Sequence, residues 1–163
     1  MLPELLGFNL ATHLVTGGAG FIGSHLAAEL IDSGHSVRIV DNLVTGLMAN
    51  VPAAAEFIEG DLTDPAVAAA AVAGCEIVLH QAAVASVPRS IAEPRPSHDA
   101  NINATFNVLL AARDAGVRRV VYAASSSAYG DAAALPKVED MPVDPLSPYA
   151  LQKQVGEVYC QLF

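Results

Sequence analysis

A short apolar segment that runs straight into four closely spaced glycines constrains this chain more than any other feature. The stretch is Thr12-His13-Leu14-Val15-Thr16-Gly17-Gly18-Ala19-Gly20-Phe21-Ile22-Gly23-Ser24-His25-Leu26. Its apolar start reads as a buried strand, and Phe21, Leu26, Leu30 and Ile31 then repeat at helical spacing. Strand, glycine turn and helix in that order form a unit that holds phosphates. Glycines permit a tight turn, a close approach of backbone to pyrophosphate and close helix–strand packing. The helix N-terminus adds N–H groups and a positive dipole end, placing Gly20, Phe21, Ile22 and Gly23 where anionic oxygens would lie. Two registers fit: Gly18, Gly20 and Gly23 as G-x-G-x-x-G, or Gly17, Gly20 and Gly23 as G-x-x-G-x-x-G.

A second apolar strand, Ser36-Val37-Arg38-Ile39-Val40, ends at Asp41-Asn42. A carboxylate at that place takes both hydroxyls of an adenosine ribose and repels a 2′-phosphate, which favours NAD over NADP. The plainer alternative is an aspartate that caps a turn. Near the other end, Tyr149 and Lys153 stand four apart after Ser147-Pro148. On a helix starting there they share a face, and an ammonium beside a phenol favours the phenolate, so the tyrosine can serve as a base. Alone, such a pair reads as an exposed helical pair; beside a nucleotide fingerprint it reads as catalytic.

Glu56–Asp64 reads as a short strand ending in a polar turn, and further strands are expected at Ile77–His80 and Val120–Ala124. Between them, Pro65 opens an alanine-rich helix to about Val72, with Asp64 as N-cap, and Asn101–Ala115 reads as a long amphipathic helix ended by Gly116. Alternating strands and helices point to an α/β fold, a doubly wound parallel sheet of Rossmann type with ligands at the strands' C-terminal ends. Gly17–Gly23, Asp41, Asp61, His80 and Ser125 all fall there. Val84–Pro96 and Asp131–Pro148 are expected to be loops.

The 163 residues suit one domain, and 53% hydrophobic residues support a full core. A formal charge of −9 argues against nucleic acid and anionic membrane surfaces as partners. No apolar stretch approaches the ~18 residues that span a bilayer, and the N-terminus lacks the features of a signal peptide, so a cytoplasmic protein is expected. Cys75 and Cys160 are expected to be free thiols, and the five scattered histidines suggest no metal site.

Taken together, the sequence resembles the extended short-chain dehydrogenases/reductases, in particular their nucleotide-sugar 4-epimerase branch. The carriers are Thr16–Gly23, Asp41-Asn42-Leu43-Val44-Thr45-Gly46, Gly60-Asp61-Leu62-Thr63-Asp64, His80-Gln81-Ala82-Ala83, Ser125-Ser126-Ser127-Ala128-Tyr129-Gly130 and Tyr149-x-x-x-Lys153. Ser86-Val87-Pro88-Arg89-Ser90-Ile91 and Leu135–Asp140 look most like enzymes acting on UDP-N-acetylhexosamines for polysaccharides. The resemblance implies NAD contacts from Gly17, Gly20, Phe21, Ile22, Gly23, Asp41 and Asn42. It places Asp61 and Leu62 at the adenine, His80, Gln81, Ala82 and Ala83 along the dinucleotide, and Asn101 on the cofactor side, where a helix N-cap is the alternative. Tyr149 would be the base and Lys153 its partner on the nicotinamide ribose. Ser125, assisted by Ser126, would hold the reacting oxygen, although a plain serine turn is the other reading. Ser86, Arg89 and Ser125 would meet the UDP-sugar.

The implied reaction oxidises the sugar at C4, turns the 4-keto sugar over and returns hydride to its other face, leaving NAD unchanged. Ser126 and Ser127 stand where related dehydratases carry Asp-Glu, which makes a 4,6-dehydratase the lesser expectation. The family chain is about twice this length and carries a second, substrate-binding domain. The expectation is therefore a cofactor half, 1–163, that ends inside the Tyr149 helix, binds NAD and does not epimerise alone. A noncatalytic NAD-binding module is the alternative. The resemblance also implies a homodimer through the Asn101–Ala115 helix and the Tyr149 helix.

Overall fold

The computed structural model describes residues 11–131 and 135–163. Five parallel strands form one sheet: β1 (Thr12–Thr16), β2 (Ser36–Asp41), β3 (Glu56–Glu59), β4 (Ile77–His80) and β5 (Arg119–Tyr122), in the order β3-β2-β1-β4-β5. The order reverses beside β1, so β1 and β4 diverge to their crossovers at a topological switch point, the place where such sheets open a crevice.

Six helices complete the described architecture: α1 (Phe21–Asp32), α2 (Pro65–Val72), α3 (Val87–Ala92), α4 (Pro94–His98), α5 (Ala104–Asp114) and α6 (Pro148–Leu162). Alternation along the central strands sorts their side chains between two layers. Leu14, Val40 and Val78 pack with Ala68, Ala71 and Val72 of α2 and Ala104, Val108 and Ala112 of α5. Val15, Val37 and Ile39 face the other way, onto Ala27, Leu30 and Ile31 of α1. The sheet is thus covered on both faces, as the alternating pattern predicts.

Local chemistry explains most boundaries. Asp64 caps α2 by accepting from Ala66 N–H at 2.8 Å, with Pro65 at the first helical position. Gly116, at φ +70°, ends α5, and Val117 N–H returns to Ala112 O. Ser147 accepts from Ala150 N–H to start α6. Cys75 and Cys160 are free thiols, buried and half-buried respectively.

Three expectations need correction. Val84–Pro96 is largely helical, because Pro88 and Pro94 occupy first-turn positions where their missing N–H costs nothing, and Ser86 caps α3. The helix expected from Asn101 begins earlier in space. A π turn, Asp99–Asn103, links α4 to α5, so Asn101 is inside a helical path and is not its N-cap. Phe21 is 79% exposed and belongs to the open end of α1, not to its packed face. The segment 132–134 of the expected second loop lies outside the described residues; the described remainder up to α6 forms no regular element.

α6 lies on β5 at close range. A Cβ on Gly156 would run into the Tyr122 hydroxyl and come within 2.5 Å of its ring carbon Cζ. Gly156→Ala is expected to destabilise the chain by about 1–3 kcal/mol through overpacking, despite a helix-propensity gain of about 1 kcal/mol. Tyr122→Phe in the same chain should return part of the loss, both being read from urea denaturation midpoints.

Candidate active site

The crevice at the switch point is a cavity of about 420 Å³. Gly17, Gly20, Phe21, Ile22 and Gly23 line it from the first turn, and Asp41, Asn42, Asp61 and Leu62 from the ends of β2 and β3. Gln81, Ala82 and Ala83 follow β4, and Tyr149 and Lys153 close it from α6. All fourteen of these expected positions share one wall-to-wall space.

Two glycine registers fit the sequence, and the geometry separates them. Gly17 has φ +65°, and a Cβ there would stand 2.8 Å from the backbone N and Cα of Ala82. Gly17 therefore lets the turn after β1 lie against the strand-end of β4. Gly18 faces inward instead, where a Cβ would overlap Ile39 at 2.5 Å. The lining set is Gly17, Gly20 and Gly23; Gly18 serves packing. Gly20 stands at the N-cap of α1 without a side-chain cap, so the N–H groups of the first turn open toward the cavity.

Asp41 caps turns and also lines the cavity. Its Oδ2 accepts from Ala19 N–H at 3.0 Å and its Oδ1 from Leu43 N–H at 2.8 Å, which ties the glycine turn to the turn after β2. A carboxylate offers about four acceptor sites, so capacity remains for a further donor. Asp61 accepts from Asn42 Nδ2 and from the Thr63 N–H and hydroxyl. Burial pushes its pKa up, but the two Thr63 bonds and the Asn42 bond outweigh that and hold it below the ordinary carboxylate value.

At the ligand end of the sheet, Thr16, His80 and Tyr122 stand side by side on adjacent strands, facing the α5 layer. Asn101 O accepts from the Thr105 hydroxyl at 2.8 Å, and the Thr105 oxygen lies 2.9 Å from His80 Nε2. His80 Nδ1 lies 2.7 Å from Thr16 Oγ1, which accepts from Gln81 and Ala82 N–H at 3.1 Å each. One tautomer satisfies the whole series: Nε2 donates to Thr105 and Nδ1 accepts from Thr16. The ring is therefore neutral, and burial, aided by the Lys153 charge, lowers its pKa from 6.5 to about 3.

Lys153 is 4% exposed, donates to Ala123 O at 2.9 Å and lies 4.8 Å from the Tyr122 ring centroid. Burial brings its pKa down from 10.5 to about 8. Tyr149, half-buried, donates its backbone N–H to Ser90 Oγ.

Other expected residues sit elsewhere. Ser125 opens a short 3-10 turn, its oxygen 2.7 Å from Ser127 Oγ, while Ser126 is exposed; neither lines the cavity. Ser86 caps α3 and Arg89 pairs with Glu93 at 3.0 Å, both off the cavity wall. Asn101, 1% exposed, is behind the wall, where its side chain bonds Val84 and Gln152. Thr16, Ser90, Ser97, Thr105 and Gln152 support the site and are absent from the sequence-based set. Thr16, directly before the glycines, and Gln152, between Tyr149 and Lys153, carry a signal by position. Among the described residues no group of three or more His, Cys, Asp or Glu side chains could hold a metal ion.

The profile of the NAD dependent epimerase/dehydratase family matches residues 13–163. The chain belongs to this family. It is 42% identical over 152 residues to a putative UDP-glucose 4-epimerase of Methanocaldococcus jannaschii, covering 92% of this chain and 50% of that protein. Among solved structures it resembles a UDP-glucose 4-epimerase of Thermus thermophilus in complex with NAD, with TM-score 0.86 and 38% identity over 93% of this chain and 50% of that one. A UDP-N-acetylglucosamine 4-epimerase of Methanobrevibacter ruminantium, in complex with UDP-N-acetylmuramic acid, gives TM-score 0.88 and 38% identity over 94% and 50%. This epimerase/dehydratase-family chain spans about half the length of the curated relatives it matches.

The buried His80 has a measurable consequence. The unfolded chain takes up a proton there near 6.5 and the folded chain only near about 3, so the unfolded state binds more protons between those values. Stability is expected to fall as pH drops from 6.5 toward about 3. His80→Gln, which keeps an acceptor and a donor but cannot ionise, should lose less, by up to about 1.4 kcal/mol per pH unit. Urea midpoints of both proteins across that range provide the measurement.

Proposed function

We propose that this chain is the cofactor half of an NAD-dependent enzyme that epimerises a UDP-sugar at C4 through a 4-keto sugar, in the cytoplasm. The observation that carries this reading is the shared cavity of the glycine turn, Asp41 and the Tyr149–Lys153 pair. The cradle suits a dinucleotide: backbone stands where Cβ atoms would collide, an uncapped helix start faces the space, and a carboxylate waits at the end of β2.

The backbone of Gly17, Gly20, Phe21, Ile22 and Gly23 would hold the pyrophosphate, and Asp41 with Asn42 the adenosine ribose. Asp61 and Leu62 would flank the adenine, and Gln81, Ala82 and Ala83 the middle of the dinucleotide. Asn101 would brace that wall from behind. NAD, when bound, supplies hydride acceptance and return at the sugar C4. Tyr149 would take the proton of the sugar 4-hydroxyl at its phenolic oxygen and give it back when the sugar has turned. Lys153 would favour that phenolate by its charge and bond the nicotinamide ribose. Ser125, with Ser126 beside it, would hold the sugar oxygen whose charge changes, and Ser86 and Arg89 would meet the nucleotide-sugar. The relatives named for UDP-glucose and UDP-N-acetylglucosamine support a UDP-hexose or its N-acetyl form as substrate.

The test joins residues 1–163 to the C-terminal half of the Methanocaldococcus jannaschii relative and follows UDP-glucose and UDP-galactose by NMR. The joined protein is expected to interconvert them, and Tyr149→Phe should slow it by about 10²–10⁴-fold. A joined protein that folds and binds NAD but never interconverts a UDP-sugar overturns the reading. The 163-residue chain alone is expected to show no turnover.

We also propose that the chain forms a homodimer through α5 and α6. Phe106, Val158 and Leu162 on these helices are 37%, 44% and 75% exposed. Light scattering after size exclusion should give twice the 16.8 kDa chain mass.

A further inference from the structure

Gln152 is between Tyr149 and Lys153 in sequence, yet it points into the protein and is 4% exposed. Its Oε1 accepts two hydrogen bonds, from Ser97 Oγ at 2.8 Å and from Asn101 Nδ2 at 2.8 Å. Ser97 and Asn101 are each 1% exposed. Asn101 Oδ1 in turn accepts from Val84 N–H at 2.8 Å, and Val84 lines the cavity. The carbonyl of Asn101 is held by the Thr105 hydroxyl, the last member of the series through His80 to Thr16.

We propose that Gln152 is a positioning residue: by gathering Ser97 and Asn101 it fixes the rotation of α6, and so the placement of Tyr149 and Lys153 over the cavity. This rests on reading Tyr149 and Lys153 as the working pair.

The geometry favours this role for three reasons. The acceptor capacity of Oε1 is filled by two buried donors, so any rotation of α6 takes the acceptor from the buried Ser97 hydroxyl and one of the bonds from Asn101 Nδ2, which keeps Val84 O at 3.2 Å. The partners come from α4 and from the π turn, and single π turns within helices are frequent at functional sites. The attachment also reaches the cavity wall on the far side, through Val84. Gly156 against Tyr122 sets how closely α6 approaches the sheet, and Ser90 receives Tyr149 N–H at the helix start. Gln152 acts between these two points, where the reacting side chains emerge.

Lys153 reports the placement directly. Its ammonium is buried against Ala123 O, and the titratable groups facing it are His80 from β4, Tyr122 from β5 and Tyr149 on α6, with Asp41 and Asp61 across the cavity. The chain has two lysines, Lys137 and Lys153, so their ε-carbon resonances can be followed separately by NMR from about pH 6 to about pH 11. The unliganded 163-residue chain should titrate Lys153 at about 8.

In Gln152→Met, which keeps the volume and removes the acceptor, the midpoint is expected to rise by about one unit as the ammonium gains water. Ser97→Ala should move it in the same direction by less. Gln161→Met, exposed near the end of the same helix, should not move it. A Gln152 that merely stabilises the fold would lower the melting temperature and leave the midpoint of the folded protein in place, and that result overturns the proposal. Should Gln152→Met not fold, an unmoved midpoint in folded Ser97→Ala overturns it equally. NAD affinity measured on the same samples keeps the readings apart: a moved Lys153 in a chain that never binds NAD supports the positioning role and removes the cofactor reading.

Discussion

The ligand face of this domain depends on how closely the first and fourth strands part. Gly17 lies so near the backbone of Ala82 that no side chain fits between them, and the Thr16 hydroxyl accepts from Gln81 and Ala82 N–H across the same gap. That double constraint sets the width of the crevice at its floor. Everything above it is built outward: Asp41 fastens the glycine turn through Ala19 N–H, while Leu47 N–H and Asn50 Nδ2 hold Ala19 O from the following loop. A backbone cradle made this way needs no movement to receive an anion, which is how preorganisation lowers the cost of binding.

On the far side of the same floor, the interior is polar but fully paired. Thr16, His80 and Thr105 join the end of β1 to the π turn, and Asn101 and Gln152 continue from there to α6. A buried network with every partner present is rigid, and one with a partner missing is costly. The neutral His80 ring suits this task because it donates at one nitrogen and accepts at the other. A buried cation there would face Lys153 as a second positive charge, and the lowered pKa of His80 reflects both burial and that neighbour.

Much of this is legible in the sequence wherever the signal is local. The strand Ile77–His80, the helix Pro65–Val72 with its Asp64 cap and the helix start at Ser147-Pro148 follow from short patterns that tertiary contacts do not override. The segment after Ala83 misleads because Pro88 and Pro94 read as breakers, whereas proline in a first turn starts a helix. Asn101 reads as a cap for a related reason: the π turn continues a helix through a residue that looks like a beginning. Thr16 and His80 are 64 residues apart in sequence, and Asn101 and Gln152 are 51 apart, so no periodicity could join them. The family match runs from residue 13 to 163, and the chain spans about half the length of the curated relatives it matches.

The chain's family is NAD dependent, and the cradle proposed for that cofactor is the glycine turn with Asp41. Calorimetric titration of the 163-residue chain with NAD and with NADP tests it most directly. Saturable one-site binding of NAD is expected, with NADP weaker by about tenfold or more, equivalent to about 1.4 kcal/mol, and loss of that difference in Asp41→Ala. Equal affinity for the two dinucleotides, or no heat with NAD in a folded chain, would contradict it.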